Sequence, residues 1–344
     1  MEQLRKDGTF SFSVIIIGRN ESERLLRCIA NVRAMNGSFP SPEIIYADSA
    51  SSDGSAGLAR EAGVRVIELP PDNPSAAKGR NAGWKTTTAE YILFLDGDTI
   101  LNPDFVKKAQ EALKAPTVAA VFGDRREIFP KKNFFHRTCD LDWISPYGEV
   151  EFFGGDVLIR RKVLEEVGGY DESLKAGEEP EMCGRIRQRG YKILHMNLPM
   201  TEHDLNMLTW GQYWRRSVRS GYAYAEVTDR FPGNVPASWE RVPGRHVIQA
   251  ALLLIAAALV MEAILQRKDF FPLGLFLFVL LLMVSRCAYR ERKKTKDIKT
   301  LFAYGIHSQL AKLPLLWGQG AYFWDKYIKH KKGLRTTVHP QGKT

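Results

Sequence analysis

Short apolar runs alternate with amphipathic segments along the first 122 residues of the chain. Apolar runs rich in β-branched residues predict buried strands, and the amphipathic segments between them predict helices. The predicted strands are Phe12–Ile17, Glu43–Ala47, Val64–Leu69, Tyr91–Leu95 and Val118–Phe122. The predicted helices begin near Glu23, Ser55, Ala76 and Pro103, the first of them after a capping-box pattern at Asn20–Glu23. This alternation is typical of an α/β domain, and it predicts a parallel sheet with helices on both faces.

Two long apolar runs follow much later in the chain. Val247–Leu265 and Phe270–Ser285 are separated only by the polar turn Gln266–Asp269. A helix needs about 20 residues to cross a bilayer, and a turn this short favours an antiparallel pair. The runs therefore predict a transmembrane helical hairpin. A buried hairpin of a soluble domain is the alternative, although the second run has no polar face.

The segment after the hairpin is mixed in character. Leu301–Phe323 interleaves apolar and aromatic residues with polar ones, which predicts an amphipathic helix at the membrane interface. A third short or re-entrant span is the alternative, and the basic tail Lys326–Thr344 is expected to be loose. Three regions result: an α/β domain at 1–240, a hairpin with basic flanks at 241–297, and an interfacial segment with its tail at 298–344.

The charge of the chain is divided unevenly between these regions. Residues 1–240 hold 31 Lys and Arg against 34 Asp and Glu, whereas residues 241–344 hold 18 against 5. The net charge of +10 therefore comes from the region with the apolar runs. This distribution indicates a membrane surface and argues against nucleic acid as a partner.

Basic residues flank both outer ends of the hairpin, so both ends and the α/β domain are expected on the cytoplasmic side of the inner membrane. The first 12 residues contain no apolar core long enough for a signal peptide, which agrees with this orientation. The four cysteines show no disulfide or zinc spacing, as is usual in a reducing compartment.

Carboxylates follow two of the predicted strands. Asp96 and Asp98 come after the fourth strand, and such a pair can bind a hard cation such as Mg²⁺ or Mn²⁺ that also binds phosphate. Asp48 follows the second strand and Asp53 lies in the loop after it, where a carboxylate can accept hydrogen bonds from a base or ribose. Because ligands bind at the carboxyl ends of strands in such sheets, these positions are candidate site residues. Ordinary turn and capping roles are the alternative for each.

Three further segments carry candidate chemistry. Lys78–Gly83 brings two cations close to a glycine-rich backbone, which suits a diphosphate, although a solvated helix face is the alternative. Phe152–Asp156 contains a glycine pair where backbone can approach a ligand closely. Gly177–Glu181 precedes the predicted basic helix Met182–Arg189, so its carboxylates are candidates for a general base or simply partners of the helix dipole.

Taken in order from Ser11 to Gly190, these segments resemble glycosyltransferase family 2, the inverting enzymes of GT-A fold, in its membrane-anchored bacterial type. The resemblance implies a Rossmann-like mixed sheet with helices on both faces. It also implies that Asp96-Gly-Asp98 is the metal-binding motif, that His203 is a further metal ligand, and that Mg²⁺ or Mn²⁺ is the cofactor. Glu179 takes the position of the catalytic base. Because Glu replaces the usual Asp there, Glu178 stays open as the base.

The same resemblance implies the remaining site residues. Those expected to bind the nucleotide sugar are Arg19, Glu21, Asp48, Asp53, Lys78, Arg80 and Asp96. Those expected on the acceptor side are Gly154, Gly155, Asp156, Gln212 and Arg215. The last two belong to a segment similar to the Q-x-x-R-W motif of processive polysaccharide synthases, but Arg216 replaces its Trp and the hairpin is small, which argues against processive synthesis.

The expected function is transfer of a sugar, with inversion and metal dependence, from a nucleotide-diphosphate sugar to a membrane-linked acceptor. A lipid-linked saccharide in surface polysaccharide or glycolipid assembly is the first choice for the acceptor, and polyprenyl phosphate is the second. A nucleotidyltransferase of similar fold and an inactive lipid-binding scaffold are the alternatives from other classes.

Overall fold

The computed structural model describes residues 10–330 and divides the chain into two compact units. Within the described range, residues 10–128 and 145–205 form the α/β unit, and residues 129–144 and 206–330 form the helical unit. The expected boundary near residue 240 therefore does not coincide with this division, because residues 206–240 and the insertion 129–144 pack with the C-terminal helices. The expectation of a loose tail concerns residues that lie largely outside the described range.

One sheet dominates the α/β unit. Within residues 10–330 its nine strands are β1 (Phe12–Gly18), β2 (Glu43–Asp48), β3 (Arg65–Glu68), β4 (Tyr91–Asp96), β5 (Thr99–Leu101), β6 (Val118–Glu127), β7 (Gly148–Val150), β8 (Val157–Arg160) and β9 (Lys192–His203). Their order in the sheet is β3-β2-β1-β4-β8-β6-β9-β5, and β7 pairs with β9. The five strands predicted from apolar runs all exist, whereas β5, β7, β8 and β9 were not predicted.

The sheet is mixed rather than parallel. Strands β3, β2, β1 and β4 run parallel, as the alternating pattern predicts. Strand β8 then pairs antiparallel with both β4 and β6, and β9 runs parallel to β6. The sequence pattern alone missed this because β8 is only four residues long and no helix of its own separates it from β7. The mixed sheet implied by the family resemblance is therefore confirmed.

The core lies on both faces of the sheet. Val14 and Ile16 of β1 point into one hydrophobic cluster, whereas Ile15 and Ile17 point into the other. Because both faces are buried, the strand is a continuous apolar run rather than an alternating one. The helices of this unit are α1 (Glu23–Arg33), α2 (Ser55–Glu61), α3 (Ala76–Trp84), α4 (Phe105–Ala112), α6 (Arg161–Val167) and α7 (Glu178–Gln188).

Two local predictions in the α/β unit are wrong. The N-cap of α1 is Ser22 rather than Asn20, and its hydroxyl donates to Asp53 instead of capping the helix. The side-chain oxygen of Asn20 accepts from the Ser52 backbone N–H, so the predicted capping box is absent. Helix α7 begins at Glu178 rather than Met182, because Gly177 adopts a left-handed conformation and serves as the N-cap. The carboxylates of Glu178 and Glu179 therefore lie in the first turn of the helix, where its dipole favours negative charge.

The helical unit contains only helices among its described residues. They are α5 (Phe134–Trp143), α8 (Trp210–Arg230), α9 (Ala237–Glu240), α10 (Val242–Arg267), α11 (Phe271–Glu291), α12 (Ile298–Leu310) and α13 (Lys312–Tyr327). Helix α5 is tied to α12 through Arg137, which donates to Asp297 at 2.6 Å and to Thr300 at 2.9 Å. Helices α8 and α13 pack closely at glycines, as Gly221 and Gly318 lie against the backbone of the opposite helix.

Helices α10 and α11 match the two predicted apolar runs. Their most apolar stretches have mean hydropathies of 2.4 and 2.1, and only 11% and 17% of those stretches are buried within the protein. Length and composition make both candidate membrane spans. The second helix extends to Glu291, six residues beyond the predicted run. The segment predicted as one amphipathic helix at 301–323 is instead divided at Ala311 into α12 and α13, neither of which qualifies as a span.

Candidate active site

The candidate site lies at the carboxyl ends of three neighbouring parallel strands. Strand β1 lies between β2 and β4, and its last residues pair with Asp48 on one side and Asp96 on the other. Both carboxylates thus terminate strands that flank β1, as the sequence predicts. This edge is where open α/β sheets bind their ligands.

Asp48 is held rigidly at the end of β2. The side chain is 1% exposed and accepts hydrogen bonds from the Tyr46 hydroxyl at 2.9 Å and from the Ser51 backbone N–H at 2.8 Å. Burial and the neighbouring Asp48 raise the pKa of Tyr46, so its phenol keeps the proton that it donates. Asp53 binds the backbone N–H and the hydroxyl of Ser55, which arranges the loop before α2.

Arg80 of α3 joins three carboxylates. It is 2% exposed, and its guanidinium contacts Glu178 at 2.9 Å, Glu179 at 3.2 Å and Asp96 at 3.2 Å. Burial disfavours the charged guanidinium, but Glu179 and the other acids outweigh it and raise the pKa of Arg80. A permanently charged arginine therefore ties the strand-end aspartate to the first turn of α7.

The two carboxylates at the start of α7 have different environments. Glu178 is 4% exposed, and burial together with the adjacent Glu179 raises its pKa to about 7. Glu179 is more accessible, with 18% of its side chain exposed, and shares the same guanidinium. A base must reach a substrate hydroxyl, so the more accessible Glu179 fits that role better than Glu178.

A second cluster gathers Asp96, Asp98 and His203. One ligand atom from each lies within 4.8 Å of the others, and His203 Nδ1 is 3.3 Å from Asp98. Burial raises the pKa of Asp98, but hydrogen bonding to His203 and the positive charge of Arg125 prevail and lower it. Two carboxylates and an imidazole are suitable ligands for Mn²⁺ or Mg²⁺. The sequence prediction of these three residues as metal ligands thus has a geometric basis.

His203 is oriented by Asp156 from its other side. The His203 Nε2 atom lies 3.0 Å from Asp156, which also accepts hydrogen bonds from Thr201 at 2.7 Å and from the Asp96 backbone N–H at 3.0 Å. Burial and Arg125 lower the pKa of His203, whereas Asp156 and Asp98 raise it, and the net shift is upward. A carboxylate behind an imidazole is a common support for a metal-binding histidine. This placement differs from the acceptor-side role expected for Asp156.

Arg125 was not predicted as a site residue. Its guanidinium lies 3.0 Å from Asp96, contacts His203, and approaches Asp156 at 3.9 Å. A cation thus already compensates part of the negative charge of these acids. The residue lies at the end of β6 beyond the apolar run, where the sequence shows only an Asp-Arg-Arg-Glu series with no spacing that marks it.

Gly155 is the glycine that the site requires. A Cβ atom there would lie 2.6 Å from an Asp96 carboxylate oxygen and 2.9 Å from Arg80. Any larger residue would therefore displace Asp96 or Arg80, whose ion pair links the two clusters. Around Gly154 there is more space, since its Cβ would meet only Arg125 at 3.6 Å.

Other predicted residues lie outside these clusters. Lys78 donates to the Asn73 carbonyl, and Arg19 is exposed. Glu21 lies near the metal cluster, where burial and the charge of Asp98 raise its pKa to about 7. Gln212 and Arg215 belong to α8 of the helical unit, and Gln212 completes a capping box with Thr209. The structure therefore gives Gln212 a helix-capping role.

Comparison with known proteins identifies the family. The profile described as Glycosyl transferase family 2 matches residues 13–168, and Glycosyl transferase family group 2 matches residues 91–290. The second match covers more than half of the chain. The chain therefore belongs to glycosyltransferase family 2.

Curated relatives agree with this assignment. The pre-mycofactocin glycosyltransferase of Mycobacterium tuberculosis is 24% identical over 208 residues, which are 56% of this chain and 42% of that protein. The poly-beta-1,6-N-acetyl-D-glucosamine synthase of Staphylococcus aureus is 26% identical over 238 residues, or 62% and 57% of the two chains. The chain thus spans about half the length of these relatives.

A solved structure shows the same fold. A mannosyltransferase from Pyrobaculum calidifontis, in complex with GDP-Man and Mn²⁺, superposes with a TM-score of 0.66 and 18% identity. The match covers 92% of this chain and 87% of that one. The GT-A fold implied by the sequence resemblance is confirmed.

Proposed function

We propose that this chain transfers a sugar from a nucleotide-diphosphate sugar to a hydroxyl of a membrane-linked acceptor, with inversion at the anomeric carbon. The acceptor is a lipid-linked saccharide of surface polysaccharide or glycolipid assembly. Family membership supports glycosyl transfer. One relative is named for N-acetyl-D-glucosamine and the solved structure holds GDP-Man, so these names do not agree on one sugar. The donor is therefore proposed only as a nucleotide-diphosphate sugar, without naming the sugar.

The contact that carries the proposal is the one between Arg80 and three carboxylates. Asp96, on the metal and donor side, and Glu179, on the acceptor side, both lie 3.2 Å from this guanidinium. A transfer reaction needs the donor's leaving group and the catalytic base to be held in a fixed relative geometry within one site. Arg80 is 2% exposed and contacts both carboxylates, so we assign it to positioning Glu179 against Asp96.

In the proposed reaction, the acceptor oxygen attacks the anomeric carbon while Glu179 removes the hydroxyl proton. The new C–O bond forms as the bond from the anomeric carbon to the diphosphate oxygen breaks, and the nucleoside diphosphate leaves. Attack opposite the leaving group inverts the configuration. Asp48 holds the nucleotide through a carboxylate that Tyr46 and Ser51 already orient.

The metal requirement is part of the proposal. Asp96, Asp98 and His203 are the residues that would hold Mg²⁺ or Mn²⁺, with Asp156 orienting the histidine. A divalent ion there would offset the negative charge on the leaving diphosphate. The lowered pKa of Asp98 keeps this ligand ionised at neutral pH.

Membrane anchoring rests on the helical unit. Helices α10 and α11 are long and apolar enough to span, and little of either is buried in the protein. Both outer ends of the hairpin carry Arg and Lys, so we propose that they face the cytoplasm at the inner membrane. Attachment to the bilayer supports an acceptor that is itself confined to the membrane.

The function is tested on the full chain reconstituted in nanodiscs. A panel of nucleotide sugars is supplied with a lipid extract, and the release of nucleoside diphosphate and of inorganic diphosphate is measured separately. Nucleoside diphosphate release with a glycolipid product of inverted anomer is the expected result. Inorganic diphosphate release would instead indicate a nucleotidyltransferase.

Orientation is tested by cysteine labelling in intact cells. New single cysteines at positions 268 and 340 are compared for reaction with an impermeant maleimide added outside. Labelling at 268 alone is expected. The opposite pattern would overturn the orientation, and labelling at both positions would overturn the hairpin.

A further inference from the structure

Helices α10, α11, α12 and α13 of the helical unit enclose a pocket of about 780 Å³ that the proposed chemistry does not use. Its size lies in the range of small-molecule sites, which is about 300–1,000 Å³. All of its lining residues belong to the helical unit. Its basic lining residues are Arg245, Arg286, Arg290, Arg292 and Lys312, with His307 beside them.

The pocket contains no acidic lining residue to balance these charges, among the residues that the structure describes. Two of these basic groups have a carboxylate partner outside the lining. Glu291 binds Arg290 at 2.8 Å, and Asp142 lies 3.8 Å from His307. No ion pair within residues 10–330 involves Arg245, Arg286 or Lys312.

Lys312 is the most informative of these residues. It is only 7% exposed, and its ammonium donates to the neutral side chain of Gln309 rather than to a carboxylate. Placing a charged group inside a protein without a counter-charge is costly, and such groups are normally paired. A buried lysine that lines a basic pocket therefore indicates that an anion completes the site.

The position of the pocket along the hairpin indicates which kind of anion it binds. Arg245 lies in the first turn of α10 and Arg286–Arg292 form the end of α11, so the basic groups are at the outer ends of the two candidate spans. In a spanning hairpin, both ends meet the same membrane surface, where lipid headgroups present phosphate. Arginine binds phosphate oxygens well because its guanidinium offers several parallel donors.

We propose that this pocket binds the phosphate of a membrane-lipid headgroup, with Arg245, Arg286 and Lys312 as its principal ligands. The proposal rests on the membrane anchoring proposed above but not on the transfer reaction. It adds a specific lipid site to the general attraction between basic flanks and anionic lipid. Such a site would fix the depth and rotation of α12 and α13 at the membrane surface.

The test measures binding of short-chain phosphatidic acid to the full chain in neutral detergent, by calorimetry and without donor sugar. Saturable binding near one lipid per protein is expected. The variant pairing Arg286→Gln with Lys312→Met should weaken binding at least tenfold. The matched control pairs Arg267→Gln with Lys268→Gln, which removes the same charge from the opposite end of α10 and should bind like the unmodified chain.

Three further arms make the outcome decisive. Arg245 is exposed, so Arg245→Gln leaves packing intact and should still weaken binding several-fold. Lys312→Arg keeps the charge and should retain binding. Inorganic phosphate should bind much more weakly than the lipid; equal binding would indicate a free-anion site and overturn the lipid assignment.

Equal weakening in the Arg267 and Lys268 control would overturn the site in favour of non-specific attraction. Unchanged binding by Arg245→Gln and by the double variant would likewise overturn it. Failure of membrane anchoring is distinguished by flotation of the unmodified chain with phosphatidylcholine vesicles. If the chain floats while phosphatidic acid does not bind, anchoring stands and the pocket proposal fails.

Discussion

The two units differ in the burial of their apolar side chains and in the pairing of their buried charges. In the α/β unit, apolar side chains fill two clusters around the sheet, and the buried charges of the site are paired around Arg80 and Arg125. In the helical unit, many large apolar side chains of α10 and α11 are exposed, and Lys312 is buried without a carboxylate partner. The charges of the α/β site are thus paired within the unit, whereas the exposed apolar helices and the buried Lys312 of the helical unit fit the membrane and the lipid phosphate proposed above.

This difference shows where the function of each unit resides. Pre-organised charges inside a rigid sheet suit catalysis, because they need no rearrangement during the reaction. Exposed apolar helices and a buried lysine without a counter-charge suit the proposed attachment, because a membrane would supply their partners. The predictions below test the internal pairing of the α/β unit first and the packing of the helical unit last.

The largest expected effect follows removal of the proposed base. Glu179→Gln keeps the size of the side chain and its contact with Arg80 but cannot accept a proton. We expect kcat to fall by roughly 10²–10⁴-fold with donor affinity nearly unchanged. Steady-state kinetics and nucleotide calorimetry measure the two quantities.

Glu178→Gln is the matched control for this prediction. Glu178 is nearly buried, and its loss should reduce kcat much less than the loss of Glu179. Normal turnover by Glu179→Gln together with an inactive Glu178→Gln would transfer the base to the neighbouring residue. If neither change mattered, the proposed inverting mechanism would be wrong.

A somewhat smaller loss is expected for the metal cluster. Asp98→Asn removes one charged ligand, which we expect to lower kcat by about 10²-fold or more and to abolish most of the response to Mn²⁺. Activity is measured across a titration of the ion after treatment with EDTA. The exposed Asp72 supplies the control Asp72→Asn, which should behave like the unmodified chain.

The metal assignment would be contradicted by full activity in EDTA. It would also be contradicted by an Asp98→Asn variant that keeps both activity and metal response. Arg125 contacts Asp96, one of the proposed ligands, and its positive charge would then be sufficient for the charge balance.

The sequence predicted some residues of this site and missed others, for a physical reason. Asp48 and Asp96 were predictable because each directly follows a buried apolar strand, and the ends of neighbouring parallel strands meet. Arg125 was not, because β6 continues past its apolar part into charged residues whose position depends on pairing with the distant β9. Long-range register of this kind leaves no local periodic signal.

The helical unit shows the same limit. Its two apolar helices were predictable from composition alone. The division at Ala311 was predictable too but was missed: Pro314 has no N–H to donate to the carbonyl of Leu310, where α12 ends. The basic pocket was not predictable, since it joins Arg245 to residues more than forty positions further along the chain.

Donor binding should change more modestly than catalysis. Asp48→Asn keeps the shape of the side chain but removes its charge from a buried position held by Tyr46 and Ser51. We expect donor binding to weaken by about 1–3 kcal/mol, with a smaller effect on kcat. Calorimetry with the nucleoside diphosphate measures this change. A fall in kcat without any loss of affinity would remove Asp48 from the nucleotide site.

The smallest expected effect concerns packing within the helical unit. A Cβ atom at Gly318 would lie 2.1 Å from the Val218 carbonyl oxygen of α8, so Gly318→Ala must force α8 and α13 apart. Overpacking of this kind typically costs about 1–3 kcal/mol, and each kcal/mol lowers the unfolding temperature by about 2–4 °C in a unit of this size. Gly320 on the same helix supplies the control, because nothing lies within 4 Å of its Cβ position. Gly320→Ala should leave the unfolding temperature unchanged or raise it slightly, since alanine favours the helix. Thermal unfolding is followed with a thiol-reactive dye in a chain where Cys28→Ala and Cys183→Ala remove the buried thiols of the α/β unit. The buried Cys139 and Cys287 then report the opening of the helical unit. Equal unfolding temperatures for the two variants would show that α8 and α13 are not packed through their backbones. The helical unit would then depend on its surroundings even for its internal contacts, and its contrast with the α/β unit would be sharper still.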